Sequence, residues 1–127
     1  MIKWLEKHRI ASLIITILII IEIFYLSSLS FGKGQSTKGI SFIPTIYHFV
    51  VFFLLSFFVL ITIKGNRKEK KYFVITFITS ISYAFFDEIH QLFVPFRTFS
   101  LQDIFIDFTG IIFAIIINLK INKNRIK

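Results

Sequence analysis

Cysteine is absent from the 127 residues, which excludes disulfide staples, thiolate nucleophiles and thiolate metal ligands. Proline occurs twice and glycine five times, so few positions interrupt regular structure and long continuous helices are expected. Acidic residues are scarce as well, seven against fifteen Lys and Arg, which leaves a formal net charge of +8. What fills the remainder is apolar: the chain is 55% hydrophobic, with a mean hydropathy of +0.77. A soluble domain this small does not carry such a composition. The expectation is an all-α integral membrane protein, a single domain over 1–127, with no length left for a separate soluble module.

Hydropathy places four spans at about 10–30, 42–63, 72–94 and 101–119, each long enough to cross a bilayer. The basic residues lie between them. Lys3, Lys7 and Arg9 precede the first span, Lys64, Arg67, Lys68, Lys70 and Lys71 join the second to the third, and Lys120, Lys123, Arg125 and Lys127 follow the fourth. The alternate loops hold only Lys33, Lys38 and Arg97. Twelve against three predicts a four-helix bundle with both termini in the cytoplasm. Net charge then reflects orientation and attraction to anionic lipid headgroups, and no nucleic-acid partner is expected. The first span resembles a signal peptide in its basic lead and its trailing Ser27, Ser28 and Ser30. Its length and the interruption by Glu22 favour a retained anchor, with Trp4 as an interfacial ring. Gly32, Gly34, Gly39 and Pro44 mark the first outer loop, Gly65 and Asn66 open the basic turn, and Pro95 ends the third span.

Against this apolar background one stretch stands out, DEIHQLFVPFRTFSLQDIFID, which holds Asp87, Glu88, His90, Gln91, Arg97, Asp103 and Asp107. Charges near hydrocarbon cost several kcal/mol unless paired, so such residues signal a function. Asp87 stands fifteen positions beyond Tyr72, about 22 Å along the third helix. Asp103 and Asp107 occupy the first two turns of the fourth. His48 and Glu22 belong to the same half of the second and first spans. At 100° per residue, Ser80, Tyr83, Asp87 and Gln91 form one stripe, with His90 at its edge and Glu88 to one side. Asp103, Asp107, Gly110 and Ala114 form another, whose small residues permit close helix approach. The two stripes are expected to face each other around an outward-opening cleft. Asp87, Gln91, Arg97, Asp103 and Asp107 are its main candidates, and His90, Glu88, His48, Tyr83 and Glu22 are secondary ones. Ser100 is a candidate N-cap for the fourth helix, with Asp103 at N3.

The string DEIHQLFVPFRTFSLQDIFIDFTG resembles the signature of the VanZ-like membrane proteins: an acidic pair, a Gln, a Pro and an Arg before a helix bearing an Asp and then a Gly. Looser likeness extends to His48 in PTIYHFVVFFLLSF and to Ser27 and Ser28 in FYLSSLS. Phe96 stands where the family commonly has Gly, and Ala114 where a second Gly is frequent. The resemblance implies a multi-pass protein of the bacterial cytoplasmic membrane, connected with low-level resistance to glycopeptides such as teicoplanin. The implied partners beyond the lipid bilayer are a glycopeptide or a lipid-linked cell-wall precursor.

Two other classes compete on the residues alone. A membrane-embedded enzyme acting on a lipid-linked phosphate or cell-wall precursor would use close carboxylates for acid/base work, with Arg97 as an anion clamp. A proton- or ion-coupled carrier would need a through-path, and polar residues thin out toward the cytoplasmic half. No nucleophile with an adjacent base is recognisable, so no catalytic residue is assigned. Asp87, His90, Asp103 and Asp107 offer oxygen and imidazole donors for a divalent cation but match no known ligand spacing, and no cofactor is expected. For any one residue, a hydrogen-bonded network that fixes helix register is the competing structural role. Oligomeric state leaves no trace in the sequence.

Overall fold

A computed structural model of the chain, described for residues 2–30, 42–65, 67 and 69–124, contains helices and no strand among those residues. A short α1 (Ile2–Lys7) precedes α2 (Arg9–Ser27), α3 (Phe42–Lys64), α4 (Lys71–Gln91) and α5 (Leu101–Asn124). The last four are each long and apolar enough to span a membrane. The expected loop with Gly32, Lys33, Gly34, Lys38 and Gly39, together with Asn66, Lys68, Arg125 and Lys127, lies outside the described residues.

The helices are sorted by size and polarity in the sense that lipid requires. On α2, Ser12, Thr16, Ile19, Ile23 and Ser27 are buried at three- and four-residue spacing, whereas Ile14, Ile17, Leu18 and Ile21 are exposed. On α4 the buried set is Tyr72, Thr76, Ser80, Ala84, Asp87, Glu88 and Gln91, while Ile78, Phe85, Phe86 and Ile89 face out. Small and hydroxylated residues turn inward because hydrocarbon already solvates Leu, Ile and Phe, so close packing and interhelical hydrogen bonds are what associate the helices. One such seam joins α2 to α3: the Thr62 hydroxyl donates to Ser12 Oγ at 2.9 Å, and Ser12 Oγ donates to the Phe58 carbonyl at 3.3 Å.

α3 is the central helix and packs against each of the other four. Phe52, Leu55, Leu60 and Ile61 on it are buried to within 2% of full burial, which fits its position. Pro44 falls in its first turn, where a missing N–H is tolerated. Gly65 closes its far end at φ +52°, with its N–H on the Ile61 carbonyl at 2.9 Å, a left-handed cap that glycine adopts without strain. Arg9 of α2 adds a second cap there, donating from Nε to the Thr62 carbonyl at 2.9 Å and from Nη2 to the Ile63 carbonyl at 3.2 Å. A cation is well placed at a helix C-terminus, where the dipole is negative. This end, with Arg9, Lys64 and Lys71, is the basic end of the bundle. The end carrying Asp87, Glu88, Asp103 and Asp107 is the acidic end.

Helix α1 was not anticipated by the hydropathy. It packs on α2 and α3 at the basic end, with Leu5 and Glu6 buried and Trp4 exposed. Two spans also stop early: α2 ends at Ser27 rather than Ser30, and α4 at Gln91 rather than Val94. In α4 the N–H groups of Leu92, Phe93 and Val94 bond back only three residues, a tightened turn leading into Pro95.

The α5 stripe also meets α3, a neighbour that the expected pairing of the α4 and α5 stripes left out. Gly110 of α5 seats against α3, since a Cβ added there would lie 2.5 Å from the Phe49 carbonyl oxygen and 3.1 Å from the Phe53 nitrogen. α4 also touches α5.

Candidate polar site at the acidic end

His48 comes from the second turn of α3, Asp87, Glu88 and Gln91 from the last turns of α4, and Asp103 and Asp107 from the first turns of α5. All but Asp103, which is half-buried, are buried. Asp107, fully enclosed, accepts a hydrogen bond at Oδ1 from Nδ1 of His48 at 3.0 Å. That bond leaves Nε2 of the imidazole as its acceptor nitrogen. Gln91 joins the two carboxylates of α4, donating from Nε2 to Asp87 Oδ2 at 3.0 Å and to Glu88 Oε1 at 3.3 Å.

The start of α5 explains how Glu88 and Asp103 are held. Ser100 Oγ accepts the Asp103 N–H at 3.1 Å, the N-cap that the sequence indicates. In a capping box the N3 carboxylate would reach back to the N-cap N–H. Here Glu88 of α4 accepts that N–H instead, at 2.8 Å from Ser100 N to Oε2. The Asp103 carboxylate is thereby released toward the cluster. One ligand-capable atom each of His48, Glu88 and Asp103 lies within 4.8 Å of the others.

Glu88 is therefore a correction: the 100° projection turned it aside, yet it is completely buried. The buried residues of α4 run 72, 76, 80, 84, 88, and each four-residue step advances the stripe by about 40°. Wedged between α3 and α5, α4 buries a face that widens toward its end, and Asp87 and Glu88 both fall within it. His90 lies elsewhere, with Nε2 2.9 Å from Ser28 Oγ and its ring stacked on Phe24 of α2. Tyr83 also turns to α2 and donates to the Ile20 carbonyl at 2.9 Å. Glu22 is exposed on α2.

Arg97 mirrors Arg9 at the opposite end. Its Nε and Nη2 donate to the carbonyls of Leu29 and Leu26, each at 3.3 Å, and so cap α2. The residue before it, Phe96, holds φ +65°, the left-handed region in which glycine is unstrained. Arg97 also lines a cavity of about 280 Å³, together with Leu26 and Ser27 of α2, Pro44, Tyr47 and His48 of α3, and Gln91 of α4. His48 and Gln91 thus separate the carboxylate cluster from this chamber. Tyr47 Oη and Asp107 Oδ2 are buried without a hydrogen-bond partner among the described residues. Such atoms are uncommon in a folded protein and call for water, an ion or a ligand.

The arrangement can bind a small polar group through Arg97, Gln91 and Tyr47, orient an imidazole against a carboxylate, or hold a cation between carboxylates. A family model described as VanZ/LLP1 matches residues 5–121, nearly the whole chain and every residue of the site. No curated protein and no solved structure matches the chain.

Proposed function

The chain belongs to the VanZ-like family, and on that premise we propose that it is a bacterial cytoplasmic-membrane protein that modulates sensitivity to glycopeptides such as teicoplanin. The twelve-to-three bias of basic residues puts both termini in the cytoplasm, which turns the acidic end outward to the compartment where glycopeptides act. One observation carries the reading: buried polar groups from α3, α4 and α5 converge beside a chamber that Arg97 lines. A bundle needs no such convergence to stand, since it costs desolvation that apolar residues would avoid. At about 280 Å³ the chamber falls just below the usual range of ligand pockets, which run from about 300 to 1,000 Å³. It suits one headgroup or peptide end of a lipid-linked cell-wall precursor and is too small for a whole glycopeptide.

The test is a panel of Asp87→Ala, Gln91→Ala and Asp103→Ala expressed in a susceptible bacterium. Loss of the teicoplanin phenotype with membrane abundance near wild type is expected. Parallel loss of protein and phenotype would assign the cluster to structure alone, and an unchanged phenotype would refute the reading.

A second reading, an enzyme acting on a lipid-linked phosphate, is favoured by the Asp107–His48 pair, since a carboxylate that orients an imidazole is how many general bases are held. Incubation of purified protein with lipid-linked precursors, followed by mass spectrometry, separates the two, because an unchanged lipid counts against catalysis.

A further inference from the structure

We propose that His48, Glu88 and Asp103 form a binding site for one first-row divalent cation, Zn²⁺ or Mn²⁺, at the acidic end of the bundle. The proposal concerns the cluster itself and holds whether or not the chain acts on glycopeptide sensitivity.

Three observations support it. First, one imidazole and two carboxylates from three different helices present ligand atoms within 4.8 Å of one another, a mixed nitrogen and oxygen set suited to Zn²⁺ or Mn²⁺ rather than to Mg²⁺ or Ca²⁺. Tetrahedral ligands at about 2.1 Å from a cation stand about 3.4 Å apart, so binding draws the three side chains inward by a fraction of that distance. Second, the ligands are already oriented. Asp107 holds His48 Nδ1 and so leaves Nε2 as the nitrogen free to act as a ligand, the carboxylate–histidine pairing common around bound metals. Glu88 is steadied by the Ser100 N–H on one oxygen and by Gln91 on the other. Third, the charge is lopsided. Asp87, Glu88, Asp103 and Asp107 make four carboxyl groups against His48 and Arg97, and Asp107 Oδ2, buried beside His48, has no hydrogen-bond partner among the described residues. A buried carboxylate oxygen left in that state is costly, and a nearby divalent cation lowers the cost.

The experiment uses the full chain, purified in detergent without a histidine tag, stripped with chelator and re-exposed to ZnCl₂ or MnCl₂. Bound metal is counted by mass spectrometry after gel filtration, and affinity is measured by calorimetry. One equivalent per chain is expected. Glu88→Gln and Asp103→Asn should lose at least about 100-fold in affinity, Asp107→Asn about 10- to 100-fold as an orienting residue, and Glu22→Gln nothing. Uptake below about a tenth of an equivalent overturns the proposal, as does stoichiometric uptake that Glu88→Gln and Asp103→Asn leave intact. Where a variant does not purify as a single species, the wild type alone decides: its thermal midpoint must rise with metal and fall back on chelation. No rise together with no uptake overturns the site. Because no drug is involved, this outcome is independent of the teicoplanin panel.

Discussion

Replacing Gly110 by alanine adds one carbon where α5 lies close to the backbone of α3. That Cβ would lie 2.5 Å from the Phe49 carbonyl oxygen, whereas ordinary contact begins at 3.4 Å, so α3 and α5 must part by 0.9 Å locally. The obstacle is backbone and cannot rotate away. One turn toward the acidic end, the same separation would stretch the 3.0 Å bond between His48 and Asp107 beyond hydrogen-bond reach. Overpacking costs about 1–3 kcal/mol, and a lost hydrogen bond to a charged group about 1.5–3 kcal/mol. The two are coupled through one displacement, so about 2–4 kcal/mol is expected for both rather than their sum. For a chain of this size that is a fall of about 10 °C in thermal midpoint. The assay is thermal unfolding of purified protein in detergent. Gly110→Ala made in a Phe49→Ala background should show the same drop, because the clash is with the carbonyl and not with the ring. A Gly110→Ala midpoint within about 2 °C of wild type, or rescue by Phe49→Ala, would refute the backbone contact.

Two further substitutions test the caps and turns. Phe96→Gly removes a side chain from a left-handed backbone position at φ +65°. The relief of about 1–2 kcal/mol exceeds the added chain entropy of glycine, so thermal stability should rise by up to about 1 kcal/mol, and a fall would show that the ring contributes more than the strain costs. Arg9→Gln strips the guanidinium from the C-terminus of α3 and should lower stability by about 1 kcal/mol, with a smaller deficit at high salt. A deficit that salt leaves unchanged would point to lost packing on Gly65 instead.

Much of the architecture was legible because lipid is a strict solvent. Four apolar runs of the right length mark four helices, and the VanZ-like signature in DEIHQLFVPFRTFSLQDIFIDFTG agrees with the family match over residues 5–121. The Ser100 cap also followed from local chemistry, since an N-cap bonds to its own helix. Short α1 escaped notice because six residues mixing Trp, Glu and Lys carry no span-length signal. The weight of Glu88 was missed for a different reason. A helical projection about a single axis assumes one packed face, and α4 packs against α2, α3 and α5.

Sequence alone determined the class, the number of spans, the family and the stretch in which the polar residues concentrate, because these depend on composition and on the fixed rise of a helix. Tertiary structure decided the partners. Only packing could show that α5 presses Gly110 against α3, that Asp107 meets His48 across fifty-nine residues, that Glu88 supplies the N-cap acceptor for a helix it does not belong to, and that His90 turns away to Ser28. Those pairings arise from the crossing of helices in space, and a one-dimensional period cannot encode which neighbour a face will meet.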